Sequence, residues 1–328
     1  LHNAQKAQDT FGFSYATDNM YDIINDKSID IINICTPNSL HKEAVIAALK
    51  AGKHIYCDKP LAVSYDDARE IAEEHKKSNS ITQMTMQYRF FPATLRAKQI
   101  IEEGRLGRIL SFRACYLHSG SVDPSRPIGW KQDIRHGGGV LFDMGVHILD
   151  LMYHLIGEFE GVFCKTQTIY DKRTDGKGNM VEITADDASY MTLEAKDGAV
   201  GTVEASKIAT GTNDELRFEI HGDKGAVRFN LMEPSFLEFY DNTKPEAAYG
   251  GDKGFTRIEC VSRYPESSFP GPKYVVGWTR GHIHCLYNFL SCIENGKNPS
   301  PSFSDAAYIQ YVMEKAYESA KTGAYLRF

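Results

Sequence analysis

In the stretch KHIYCDKPLAV, residues 53–63, a lysine stands between an acid and a proline where a short apolar run ends. An ammonium at such a point can stabilise a developing alkoxide or grip a ribose hydroxyl. Lys59 reads equally well as a surface lysine in a strand-to-helix loop. A second stretch, GGGVLFDMGVHILDLMYHLIG, places Asp143, His147, Asp150 and His154 at spacings of four, three and four, which on a helix form one stripe. An acid one turn ahead of an imidazole can orient a substrate hydroxyl while the ring accepts its proton near neutral pH. The same four residues also fit a buried polar stripe satisfied by hydrogen bonds, or a metal site. The three glycines before them allow some group to approach the backbone closely.

The elements around these residues decide what they can reach. IDIINIC (29–35), HIYC (54–57) and ITQMTMQ (81–87) read as buried strands. Between and after them lie a helix capped by Ser39 and stopped by Gly52, a helix capped by Ser64, and a helix from about Pro92 to Glu103. Such alternation predicts a parallel sheet, in which ligands bind beyond the carboxyl ends of the strands. CTPNSLH (35–41) and CDKP (57–60) both follow strands, so they share that edge. Pro37 and Pro60 hold the residue before each of them extended. Tyr88 and Arg89 follow the third strand at the same edge, where they could meet substrate hydroxyls, although Arg89 also suits a structural ion pair.

Beyond residue 105 the pattern changes to ILSFRACYLH, ASYMTLEA, AVGTVEASKIA, LRFEIHG, AVRFNL and FLEFYD, joined by turn residues. A helix follows the three glycines, and two more close the chain at about 281–294 and 305–321, the second capped by Ser304 and ended by Gly323. In GHIHCLYNFLSCI the apolar positions Ile283, Leu286, Tyr287, Leu290 and Ile293 predict the buried face. That face puts His282 nearer the core than His284, as a capping or core residue within possible reach of substrate. The fold class expected is therefore an α/β Rossmann-type parallel sheet over 1–104, with its N-terminal part missing, and an α+β domain over 105–328. The second domain is built on a large, mostly antiparallel open sheet, with the closing helices packing back toward the first.

The composition, 42% hydrophobic and 24% charged, is that of a soluble globular protein. A net charge of −6 supplies no general attraction to nucleic acid or to an anionic membrane, which leaves a small molecule as the expected partner. The seven cysteines form no CxxC and are expected to be reduced thiols in the cytoplasm.

TPNSLH, CDKPLAV, the GW at 129–130 and GGGVLFDMGVHILD, in that order and spacing, resemble the Gfo/Idh/MocA family of oxidoreductases, relatives of glucose-fructose oxidoreductase and inositol dehydrogenase. The resemblance implies an NAD- or NADP-dependent enzyme that oxidises a hydroxyl of a sugar, glycoside or cyclic polyol. It assigns catalysis to Lys59, Asp143 and His147, and no metal. It assigns cofactor contacts to Thr36, Pro37, Asn38, His41, Asp58, Lys59, Pro60 and Trp130. Trp130 and Asp143 are also implied near the substrate, and Asp150 and His154 are left as structural residues. Whether Lys59 or His147 finally accepts the proton stays open. A homodimer or homotetramer is expected.

The family's front end should carry a strand, a GxGxxG turn and a helix that cradle the pyrophosphate. No GxGxxG occurs in the 328 residues, and the chain opens on LHNAQKAQDTFGF, which reads as the tail of a helix. The expectation from this is that the chain as written holds the dinucleotide poorly. Two rival functions are an NAD-using glycoside hydrolase of the same family and a non-catalytic sugar-binding relative.

Overall fold

A computed structural model describes residues 1–328. Helices α1 (His2–Phe11) and α2 (Met20–Ile24) lead into β1 (Ile31–Ile34), α3 (His41–Lys50), β2 (His54–Cys57), α4 (Tyr65–Lys76), β3 (Thr82–Met84) and α5 (Pro92–Glu102). The three strands pair in parallel in the order β1-β2-β3, with Ile34 opposite Cys57 and Cys57 opposite Met84. This register aligns their carboxyl ends, so the residues after β1 and β2 emerge side by side. Ser64 caps α4 as expected, its hydroxyl accepting from the Asp67 N–H. Ser39 does not cap α3, because it lies inside a short 3-10 turn, Asn38–Leu40, that precedes the helix.

The rest of the chain supplies β4 (Ile109–Leu117), α6 (Val146–Ile156), β5 (Phe159–Gln167), the small β6–β7 hairpin (Lys172–Thr174, Met180–Glu182), β8 (Ala188–Ala195) and β9 (Val200–Ser206). After these come β10 (Glu215–Gly222), β11 (Gly225–Asn230), β12 (Phe236–Asp241), β13 (Phe255–Glu259), α7 (Trp278–Glu294), α8 (Phe303–Thr322) and β14 (Leu326–Arg327). Nine strands form one sheet in the order β13-β12-β11-β10-β4-β9-β8-β5-β14. Every pair in it is antiparallel except β4 with β9. That single parallel pair brings the ends of β4 and β9 together beside α6.

Helix α6 lies in the core, with Ile148, Leu149, Leu151 and Met152 fully buried. Its apolar text is spent inside the protein. Helix α8 packs on α4 on one side and on β5 on the other, which ties the two sheets together. Ser302, not Ser304, caps α8 in a reciprocal box with Asp305.

Helix α7 departs from the sequence reading. Its buried face is Arg280, Gly281, His284, Cys285 and Phe289, while Ile283, Leu286 and Leu290 are exposed. The cause is close packing on the segment after β3, since a Cβ on Gly281 would stand 2.3 Å from the Phe91 ring and 3.0 Å from the Gln87 carbonyl oxygen. Only a glycine permits that approach, and it turns His284 into the core, where Nδ1 lies 3.2 Å from the Phe90 carbonyl oxygen. His282 is left on the side facing the parallel sheet's edge.

Candidate active site

The chain reaches α6 through a π-type turn, Leu141–Gly145, that carries Asp143. The wider turn shifts the phase of the helix at its start. Asp143 therefore faces outward to the strand ends, while His147 and Asp150 lie in the buried part of α6. The glycines before the turn are approached by the protein itself. A Cβ at Gly137 would meet Asn38 at 2.8 Å, and one at Gly138 would meet the Lys131 carbonyl oxygen at 2.6 Å.

Asp143 sits among three lysines. Lys59 Nζ donates to its Oδ1 at 2.9 Å and to its backbone oxygen at 2.6 Å. Lys131 Nζ reaches Oδ1 and Oδ2 at 2.9 and 3.1 Å, and Lys207 Nζ lies 2.7 Å from Oδ2. Burial alone would raise the carboxyl's pKa, but the charges of Lys59, Lys207 and Lys131 outweigh it and hold the group well below the usual carboxylate range. With its oxygens taken by ammonium groups, Asp143 is poorly arranged to ligate a cation and well arranged to keep Lys59 in place.

His147 is buried, and its ring meets those of Tyr88 and Tyr116 edge-on at centroid distances of 5.1 and 6.1 Å. Burial first, and then the Lys59 charge, push its pKa well below the ordinary imidazole value. It is a neutral ring across the physiological range. Nδ1 is sealed in the core without a partner, so Nε2 is the nitrogen left to meet a ligand.

Thr36, Pro37, Asn38, Asp58, Lys59, Pro60, Trp130 and Asp143 line one cleft of about 200 Å³, together with Lys131. Larger hollows lie between α2 and α3 and on the outer face of the nine-stranded sheet, but neither contains these groups. Within the cleft wall, Asn38 donates to the Gly137 carbonyl oxygen at 2.9 Å, fastening the β1 loop to the glycines.

Two expected contacts fall elsewhere. His41 is fully buried, with Nδ1 2.9 Å from the Pro60 carbonyl oxygen and Nε2 2.9 Å from that of Thr36. It bolts the two cleft loops together from behind and offers nothing to a ligand. Arg89 is buried and donates to Asp150 through Nε at 2.7 Å and to Ser300 at 2.8 Å, so its charge is spent internally. Tyr88 keeps its ring against His147. The His282 ring lies tilted against Trp278 at a centroid distance of 4.3 Å, and its Nε2 is buried without a partner.

Lys131 and Lys207 were not legible as site residues. Lys131 adjoins the Trp130 that the motif did mark. Lys207 is the first residue after β9, and reading AVGTVEASKIA as one continuous strand hid it.

A parallel sheet whose strand ends open into a lysine-lined cleft, set against a large, mostly antiparallel sheet, places a small-ligand site where open α/β sheets carry theirs. Residues 1–86 match the oxidoreductase family with an NAD-binding Rossmann fold, and residues 94–228 match the GFO/IDH/MocA C-terminal domain. The chain is 34% identical to levoglucosan dehydrogenase from Pseudarthrobacter phenanthrenivorans, over 97% of this chain and 84% of that protein. It is 31% identical to 2,7-anhydro-N-acetylneuraminate hydratase from Escherichia coli, over 86% of this chain and 75% of that one. The solved structure of levoglucosan dehydrogenase in complex with NADH and levoglucosan superposes with a TM-score of 0.93 at 33% identity, covering 99% of this chain and 87% of the other. The chain belongs to the Gfo/Idh/MocA family of oxidoreductases.

Proposed function

We propose that this protein oxidises a ring hydroxyl of a cyclic sugar or polyol, an anhydro-sugar foremost, with NAD or NADP as the hydride acceptor. The observation that carries the reading is the Lys59–Asp143 pair, held in a cleft at the strand ends with the neutral ring of His147 beside it. The cleft suits a nicotinamide ring, since Pro37, Pro60 and Trp130 offer flat apolar surface while Thr36, Asn38, Asp58 and Lys59 offer polar contacts. Those residues would hold it, and the chemistry it supplies when bound is acceptance of a hydride.

In the oxidation step the substrate O–H proton passes to His147 Nε2, the carbon gives up its hydride, and the oxygen becomes a carbonyl. Lys59 Nζ stabilises the alkoxide as it forms. Asp143 holds Lys59 toward the reacting oxygen and orients a neighbouring hydroxyl. Since burial and the Lys59 charge lower the His147 pKa, loss of oxidation rate on acidification is expected below the range of an ordinary imidazole.

The test is reduction of NAD and NADP, followed by nicotinamide absorbance, with levoglucosan, glucose, xylose and myo-inositol. Stoichiometric NADH with one of them is expected, and no reduction with any would remove the reading. A second reading, favoured by the similarity to the hydratase, uses the same hydride step transiently. It predicts a converted sugar with no net NADH, which chromatography of the products separates from the first.

We also propose that the protein forms a homodimer or homotetramer through the outer face of the large sheet. Exposed Leu110, Phe163, Tyr190 and Val200 lie there among paired charges such as Arg113 and Glu219. Sedimentation analysis of Tyr190→Asp against the parent tests it. The seven unpaired cysteines support a cytoplasmic location.

A further inference from the structure

Beside His147 runs a hydrogen-bonded chain that the chemical step does not use, buried at Tyr88 and Tyr116 and half-buried at His118 and Asp214. Tyr88 and Tyr116 place their hydroxyls 2.6 Å apart, Tyr116 Oη donates to Asp214 Oδ1 at 2.8 Å, and His118 Nε2 lies 3.1 Å from the same oxygen. All of it gathers at one end of the large sheet. His118 directly follows β4, Lys207 directly follows β9, and the two strands pair in parallel with Leu117 opposite Ser206. Asp214 directly precedes β10, which pairs with β4. His147 thus meets both tyrosine rings and also feels the charges of Lys59 and Asp143.

Counting hydrogens gives this chain a direction. Burial raises the Asp214 carboxyl, but hydrogen bonds from His118 and Tyr116 outweigh it and keep the pKa below the ordinary value. An ionised carboxylate has no hydrogen to give. Tyr116 spends its one hydrogen on Asp214, so the hydrogen between the tyrosines comes from Tyr88. What remains on this wall is acceptor capacity, at Tyr88 Oη and at Asp214 Oδ2, which has no partner in the chain. The lysine cluster around Asp143 is the reverse, because the ammonium groups of Lys59, Lys131 and Lys207 only donate.

We propose that Asp214 is the specificity-determining residue, its free Oδ2 accepting a hydrogen bond from a ring hydroxyl remote from the carbon being oxidised. The proposal rests on the sugar-dehydrogenase reading above and names the group that selects among its substrates. A ligand with hydrogen or methoxy at that position forfeits this hydrogen bond to a charged group. By the usual worth of a hydrogen bond to a charged group, such a ligand is disfavoured about 10- to 100-fold.

The experiment compares kcat/KM for the sugar oxidised best with that for its monodeoxy and mono-O-methyl analogues, in the parent, Asp214→Asn and Asp214→Glu. The parent is expected to discriminate at one remote position by about 10- to 100-fold. Asp214→Asn should lose most of that ratio while leaving discrimination at the other positions intact, and Asp214→Glu should retain part of it. The readout is a ratio of two substrates on one sample, so a smaller folded fraction cancels. If Asp214→Asn slows the parent sugar and every analogue by the same factor, the carboxylate is structural and the proposal is wrong. An enzyme that reduces neither NAD nor NADP with any sugar removes the dehydrogenase reading first, and this one with it.

Discussion

Two Asp/His pairs follow one another along the same segment and have opposite fates. Asp143 and His147 stand at the strand ends, with the carboxylate touched by three lysines and the cleft open beside it. Asp150 and His154, a turn or two further on, face the interior, where Asp150 is closed against Arg89. Residue types and spacing are alike, and the difference lies in what each pair faces. The outer pair meets three ammonium groups and a space for ligand, so its charges can be turned to a reacting oxygen. The inner pair meets one guanidinium in a sealed site, so its charges are already spent.

The largest expected effect is on the inner pair. Asp150→Ala leaves the buried guanidinium of Arg89 without its carboxylate, which should cost about 3–5 kcal/mol of stability. Urea denaturation should show this as a lowered midpoint, while turnover per folded molecule stays within a few-fold of the parent. Replacing both partners, with Arg89→Met and Asp150→Leu together, should restore much of the loss. A single variant of unchanged stability would break the contrast between the two pairs.

The outer pair should respond the other way. Lys59→Ala removes the donor aimed at the reacting oxygen and should lower kcat by about 100-fold or more. Because Lys131 and Lys207 still neutralise Asp143, the variant's thermal midpoint should move little. Turnover within a few-fold of the parent would show that Lys59 is only a tether for Asp143.

Much of this contrast could be seen in the sequence, and the failures have physical causes. Lys59 was placed by a strand end and a following proline, whereas helical spacing marked Asp143 and His147 without revealing the π-type turn that sets them apart. His41 was misread because polar loop text does not say whether a ring points out or in, and here both of its nitrogens are taken by carbonyls of the two loops it joins. Helix α7 was misread because its larger apolar residues stay exposed, and Gly281, the smallest residue available, decides which face packs. Strand β5 escaped notice because its outward positions include Phe163 as well as Lys165, which blurs the alternation. The three-lysine grip on Asp143 joins residues far apart in the chain, and only the parallel pairing of β4 with β9 brings Lys207 to it.

A smaller effect sharpens the outer pair further. Lys207 touches Asp143 but not the cleft, so it acts as a positioning residue. Lys207→Met leaves Lys59 and Lys131 on the carboxylate and should lower kcat by about tenfold, or roughly 1.4 kcal/mol of barrier. Substrate KM should change little, since no ligand contact is lost. A KM effect that exceeds the kcat effect would move Lys207 into the substrate site.

The smallest effect concerns pH and returns to the inner pair. Burial first, then the charges of Arg89 and Lys98, hold the His154 pKa at about 3, against 6.5 for a free imidazole. As pH falls below that of the free group, the unfolded chain takes up a proton that the folded chain refuses, so stability declines with acidification. The loss should run through the interval between those two values, with His147 adding to it in the same direction. For His154 alone the expected change between pH 7 and pH 6 is about 0.7 kcal/mol. Urea midpoints of the parent and of His154→Gln at those two pH values measure it, and the variant should show the shallower dependence. Equal slopes in the two proteins would mean that His154 takes up protons as readily folded as unfolded, and that the inner end of α6 is more open to water than the outer.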